Sequence, residues 1–291
     1  MRRSLMLAGL AASLVLAACA TVSLEDPSCP SDAVVDTLVS RYLAAQPAPN
    51  PAEPITSFGA TCGRDKFTAR LGQHYGRVVG YKAGLTSAAA QKRFEARAPV
   101  RGTLFERMIL RDGAIVPAQF GARPLYEADM VVEVGSSAIH EAKTPLEVLG
   151  SLRALYPFIE LPDLMLEDSS RIDAATLTYL NVGARLGVLG APIPVRADPA
   201  LAAALGDMTV RLVDVNGQEL DAARGSAILG HPLNAVIWLA DDLRRSGIQL
   251  KPGDLLSLGS FTKLLPPKAG MTVRAVYEGL PDNPTVTVRF R

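Results

Sequence analysis

Leu125-Tyr-Glu-Ala-Asp-Met-Val-Val-Glu-Val134 reads as a strand and carries two carboxylates, Glu127 and Asp129, two positions apart. Strand residues i and i+2 point to one face of a sheet, so these acids stand side by side. A third, Glu160, arrives one element later in Phe158-Ile-Glu-Leu161. Carboxylates gathered in this way repel one another unless a cation lies among them, and the pattern outlines a divalent-metal site. Read alone, Glu127 and Asp129 also suit the solvated face of an edge strand. Glu133 shares that face, so at least one acid there is ordinary.

Mg2+ and Mn2+ take oxygen ligands in octahedral geometry and keep open positions for water or a chelating substrate. Three carboxylates would fill three corners. A 2-oxo acid would then bind through its carboxylate and 2-oxo oxygen, and the cation would offset charge developing on an enolate oxygen. Upstream, Gly80-Tyr-Lys-Ala-Gly-Leu-Thr-Ser87 sets Lys82 among glycines and hydrophobes. A lysine buried beside a metal acts as acid or base; a surface lysine ending a strand is the alternative. The glycines suit close backbone approach. Downstream, Gly259-Ser-Phe-Thr262 ends a strand with the hydroxyls of Ser260 and Thr262, suited to a substrate carboxylate or to a simple strand exit. His231, before Pro232 at a helix start, reads as a capping or packing residue, and His74 and His140 have no partner in the sequence. No nucleophile elbow and no phosphate loop is present.

The chain has 291 residues and a formal net charge of +1, from 30 basic and 29 acidic residues, with no basic run. With 5% aromatic residues it offers no stacking platform for bases, so nucleic acid is not an expected partner. At 48% hydrophobic it can bury a full core.

Met1-Arg-Arg followed by the apolar Leu5–Leu16 run and Leu16-Ala-Ala-Cys19 has the charge, length and lipobox of a bacterial lipoprotein signal. Residues 1–18 are expected to be the signal peptide, Cys19 the lipidated residue, and residues 19–31 a tether. Ala20 after Cys19 favours the outer membrane, facing the periplasm, with the lipid as the sole membrane contact. Cys29 and Cys62 remain. In an oxidising compartment they can pair; two free buried thiols are the alternative.

Along the chain, a helix starts at Ser31 or Asp32, and Pro47–Pro54, with four prolines, breaks it. A second helix spans about Asp65–His74, and a first strand Val78–Lys82. The β pattern begins near Leu104, with strands Tyr126–Val134 and Phe158–Leu161 separated by a helix over Thr144–Leu155 that Pro157 ends. Met208–Val215 with Asn216-Gly217 reads as strand and hairpin turn. Gly230-His-Pro-Leu-Asn234 opens an amphipathic helix to Arg245, and Asp254–Ser260, Met271–Tyr277 and Thr285–Phe290 close the chain as strands. Residues 32–103 are thus an α-rich N-terminal cap and 104–291 a β-rich core, an α+β class.

At these residues the chain resembles the fumarylacetoacetate hydrolase superfamily, in its hydratase/decarboxylase branch. Five blocks carry the resemblance in order over residues 65–291: Gly80–Ser87, Glu127-Ala-Asp129, Phe158–Leu161, Gly230-His-Pro-Leu-Asn-Ala-Val-Ile-Trp-Leu-Ala240 and Gly259–Thr262. It implies a mixed, rolled β-sheet core under the α-rich cap and Mg2+ or Mn2+ on Glu127, Asp129 and Glu160. It further implies Lys82 as proton shuttle, and Leu85, Ser260 and Thr262 at the substrate. The implied activity is a lyase, hydratase or decarboxylase, acting on a small 2-oxo or 2-hydroxydienoic acid through a metal-bound enolate, in a homo-oligomer.

The departures are specific. Asp129 stands where the family often has glutamate. Pro99-Val-Arg-Gly102 replaces the hydratases' Pro-Asp-Tyr-Gly, and Asp173–Asn181 lacks a lysine and an aspartate that commonly precede the asparagine. The hydration machinery therefore reads as altered while the metal site reads as kept. Two rivals stay open: a silent envelope lipoprotein binding an oxo acid or a protein, and an acylpyruvate C–C hydrolase, for which no Glu/His pair is evident.

Overall fold

The computed structural model describes residues 28–291; the signal segment, Cys19 and most of the tether lie outside the described residues. Helix α1 (Asp32–Leu43) starts on Ser31, whose side chain accepts from the Val34 N–H, and buries Val35, Leu38, Val39 and Tyr42. Helix α2 (Ser57–Tyr75) starts at Ser57 rather than Asp65, because Thr56 caps it by accepting from the Gly59 N–H. Cys29 and Cys62 are joined in a disulfide, with Cα atoms 5.6 Å apart, which ties the segment before α1 to α2.

Then follow β1 (Val78–Gly84), α3 (Ala88–Arg93), β2 (Val100–Phe105), β3 (Ile109–Arg111), β4 (Ala114–Val116) and β5 (Glu127–Val134). Helix α4 (Pro145–Ser151) begins with a capping box between Thr144 and Glu147. It ends at Ser151, well short of the expected Leu155, and the chain runs on as the ten-residue strand β6 (Leu152–Leu161) straight through Pro157. Pro157 is tolerated because its partner Met130 turns its carbonyl the other way, toward the Leu258 N–H, so this pair exchanges no ladder bonds. The rest of the chain adds α5 (Ala174–Tyr179), β7 (Leu186–Leu189), β8 (Ile193–Pro194), α6 (Pro199–Asp207) and β9 (Thr209–Asp214). After these come β10 (Glu219–Arg224), α7 (Leu233–Arg245), β11 (Leu255–Ser257), β12 (Thr272–Glu278) and β13 (Thr285–Phe290).

One sheet has eight strands, in the order β2-β1-β11-β5-β6-β7-β3 with β8 on β6; the other has five, in the order β10-β9-β12-β13-β4. Strand β5 lies between β11 and β6 and is not an edge, which overturns the solvated-edge alternative. Strands β1 and β2 also belong to this sheet, so the expected boundary at 103/104 cuts a ladder; the purely helical part ends at Tyr75.

One core lies between the sheets and α7 and includes Met130, Leu155, Val236, Leu239, Val273 and Val288. A second lies under α1 and α2 and includes Val35, Phe67, Leu71, Phe105, Leu164 and Leu180. Each fully buried side chain of this size contributes about 1.5–3 kcal/mol. No described helix is long and apolar enough to cross a membrane.

Candidate active site

Strand β5 presents Glu127 and Asp129 on one face, and Glu160 on β6 is the register partner of Glu127. Side chains directly opposite in an antiparallel pair stand about 4.5–5.5 Å apart at Cβ. All three acids are buried, as is Lys82 on β1. Lys82 is 3% exposed, which excludes the surface-lysine alternative. Its ammonium donates to Glu160 Oε1 and, at 3.0 Å, to the Val182 carbonyl. Glu133, by contrast, pairs with Arg153 (3.0 Å) and accepts from the Tyr156 hydroxyl (2.6 Å), an ordinary role.

A cavity of about 640 Å³ opens over these groups. Lys82, Leu85, Glu127, Glu160, Ser260 and Thr262 all line it, so it gathers these residues from four separate stretches of the sequence. Leu164, Leu177, Val182, Phe261 and Leu264 supply an apolar wall, and Arg93, Asp221 and Lys263 bring charge to the lining. The expected substrate hydroxyls have protein partners: Ser260 Oγ donates to the Thr262 carbonyl (2.6 Å), and Thr262 Oγ1 accepts from the Ala128 N–H (2.9 Å). Gly259, at φ +100°, makes the turn that carries Ser260 into the cavity, and a Cβ there would collide with Thr86.

Among the described residues, Lys82 is the one buried cation that lines the cavity with Glu127 and Glu160. Burial first, then the charge of Glu160, pushes the Glu127 carboxyl well above the usual carboxylate range, while Lys82 opposes the rise. The same two causes push Asp129 up to about 7, against the hydrogen bond from Ser257. Glu160 Oε2 is buried and has no hydrogen-bond partner among the described residues. An orphaned carboxylate oxygen beside a second buried carboxylate suits a hard divalent cation. Glu127 and Glu160 fit such an ion. Asp129 is less open: it is fully buried, is absent from the cavity lining, and both its oxygens are engaged by protein donors. Among the described residues no group of three His, Cys, Asp or Glu side chains stands in ligating arrangement.

Two features escaped the sequence reading. Asn181 and Val182 both adopt left-handed backbone, at φ +54° and +56°. The Asn181 amide clasps Thr103 on β2, accepting from its N–H (2.7 Å) and donating to its carbonyl (2.9 Å). That turn aims the Val182 carbonyl at Lys82. An asparagine beside a β-branched residue carries no sequence mark of such a turn. Arg101, which replaces the hydratases' tyrosine, faces away from the cavity and pairs with Asp242 at 2.6 Å. His231 packs at the start of α7, with Nε2 2.8 Å from the Ala202 carbonyl.

No family model matches the chain. Individual relatives do. The chain is 32% identical over 204 residues to the 2-keto-4-pentenoate hydratase of Paraburkholderia phymatum, covering 70% of this chain and 76% of that protein. The chain belongs to the hydratase/decarboxylase branch of the fumarylacetoacetate hydrolase superfamily. It is also 34% identical over 206 residues to 2-keto-4-pentenoate hydratase 1 of Dechloromonas aromatica, covering 70% of this chain and 75% of that one. Among solved structures, 4-oxalocrotonate decarboxylase of Pseudomonas putida G7, complexed with magnesium and adipate, superposes with a TM-score of 0.77 at 21% identity over 89% of this chain and 97% of that one. The rolled mixed sheet of this superfamily is therefore the fold, as expected, and the protein is a lyase-type enzyme.

Proposed function

We propose that the cavity turns over a small 2-oxo or 2-hydroxydienoic acid by hydration or decarboxylation, with Mg2+ or Mn2+ held by Glu127 and Glu160. The observation that carries this reading is the buried Glu127–Glu160 pair with its orphaned Oε2, beside Lys82 in the cavity wall. The cation would polarise the 2-oxo oxygen and offset the charge that develops there. Lys82 would move a proton to or from a carbon of the bound acid through Nζ, whose direction the Val182 carbonyl fixes. Leu85, Leu164, Phe261 and Leu264 exclude water from the carbon chain of the acid, which strengthens each charged contact in the cavity. Ser260 and Thr262 border the acid's carboxylate. The purified protein with Mn2+ is expected to exchange the C3 protons of 2-oxo acids and to hydrate or decarboxylate dienol acids. Failure to exchange or turn over any of a broad panel of 2-oxo acids counts against this function.

We also propose that the enzyme works in the cell envelope, anchored at the outer membrane through lipid on Cys19. The lipobox and the Cys29–Cys62 disulfide, which needs an oxidising compartment, support this. Globomycin-sensitive processing is the expected behaviour; a mature protein that keeps Met1 contradicts it. Assembly as a homo-oligomer is proposed from the resemblance, and light scattering on the purified protein tests it.

A further inference from the structure

We infer that Asp129 is the anchor of the β11 exit and not a ligand of the cation. The inference rests on the proposed metal-dependent reading, in which Glu127 and Glu160 hold the ion. Aspartate is one methylene shorter than the glutamates beside it, and the structure uses the difference. Asp129 Oδ1 accepts from the backbone N–H groups of Met130 (2.5 Å), Leu258 (3.1 Å) and Gly259 (3.0 Å), while Oδ2 accepts from Ser257 Oγ (2.5 Å). The side chain is fully buried and does not line the cavity that Glu127 and Glu160 line.

Met130 is Asp129's own neighbour on β5; the other three donors, Ser257, Leu258 and Gly259, belong to the segment where β11 ends and turns, at Gly259 with φ +100°, to bring Ser260 into the cavity. Past Ser257 the ladder to β5 continues only as single bonds, Leu258 N–H to the Met130 carbonyl and Phe261 N–H to the Ala128 carbonyl. A carboxylate that gathers successive N–H groups at such a turn holds it as a cap holds a helix end. The Asp129 backbone is held as well: the Tyr277 hydroxyl donates to its carbonyl, and the Tyr277 ring packs edge-on against Phe261 at 6.4 Å. Swinging the carboxylate toward an ion would leave the buried Gly259 N–H and Ser257 hydroxyl without their acceptor, an outcome native interiors avoid. Asp129 therefore acts through position, by fixing the wall that carries Ser260 and Phe261.

Two measurements on the purified protein test this. Mn2+ is titrated by calorimetry into the wild type, Asp129→Asn, Glu127→Gln and Glu160→Gln. Asparagine keeps the acceptor for the three N–H groups, so Asp129→Asn is expected to stay within about threefold of the wild-type affinity, whereas each glutamine variant loses about tenfold or more. A tenfold loss in Asp129→Asn makes it a ligand and overturns the inference. Amide exchange at Leu258 and Gly259 is measured in EDTA for the wild type and Asp129→Ala. Exchange at both is expected to accelerate by about tenfold or more in the variant; unchanged protection overturns the anchor. If the wild type takes up no Mn2+ at all, the metal reading fails by itself, and the exchange experiment still decides the anchor.

Discussion

Glu127 and Glu160 face one another across the β5–β6 ladder, each the register partner of the other, in the interior of an eight-stranded sheet. Like charges directly opposite on a sheet are destabilising, and burial removes the water that would screen them. Lys82 answers one of these charges through Glu160 Oε1 and leaves Oε2 unpaired. This pair costs the fold stability and, in the proposed function, would give the site its affinity for a cation.

The cost is visible in pH dependence. Burial and the charge of Glu160 hold the Glu127 carboxyl well above its ordinary value of 4.5, so the folded protein keeps a proton that the unfolded chain releases. That contribution to stability is complete below the unfolded pKa and disappears as pH rises through the folded one. In metal-free buffer, Glu127→Gln is therefore expected to gain in melting temperature relative to wild type as pH increases above about 5. With Mn2+ present the order reverses, because the wild type alone keeps both ligands. Parallel melting curves from acid to neutral pH in EDTA contradict the account.

Among the described residues, Lys82 is the one buried base that touches the acid pair. Lys82→Ala is expected to lower kcat by about 10²–10⁴-fold, the usual range for a lost acid–base group, and to change KM for the oxo acid less. Steady-state kinetics with saturating Mn2+ separates the two. An unchanged kcat removes Lys82 from the proton path.

The clasp of Asn181 on Thr103 holds the left-handed turn whose Val182 carbonyl directs Lys82. Asn181→Ala leaves the Thr103 N–H and carbonyl buried without partners. This is expected to cost about 1–3 kcal/mol in denaturant unfolding, with a fall in kcat larger than the rise in KM. Full stability and full kcat in this variant contradict the assigned role.

The Cys29–Cys62 bond closes a loop of sequence separation 33 that contains the whole of α1. Chain-entropy reasoning gives about 3–4 kcal/mol for a loop of this size. Cys62→Ala, or reduction of the wild type, is expected to lower the melting temperature while leaving Mn2+ binding unchanged. A melting temperature insensitive to reduction contradicts this.

Much of this was legible from the residues, and the failures have physical causes. Helix α1 announced itself through Ser31, and the β9–β10 hairpin through Asn216-Gly217, because both signals are local. Lys82, Leu85, Glu127, Glu160, Ser260 and Thr262, which the resemblance singled out from their blocks along the chain, all line one cavity. Leu152–Leu155 was misread as helix because its residues favour helix locally; pairing with β5 overrides that preference. The start of α2 was hidden by Gly59 and Gly63, poor helix formers that sit against Ser28, Pro30 and Tyr179. The hydrogen bonding of Asp129 was illegible, since it depends on how β11 ends beside β5, a relation between segments more than a hundred residues apart.

The most direct test is calorimetry of oxalate, a stable mimic of a chelating 2-oxo acid, into the wild type, Glu127→Gln and Glu160→Gln, each with Mn2+ and with EDTA. The account predicts oxalate binding to the wild type in Mn2+ alone, and its loss in EDTA and in both variants. Equal binding with and without the ion, or retention in both variants, contradicts the claim that the facing pair Glu127 and Glu160 holds the cation on which the acid chelates.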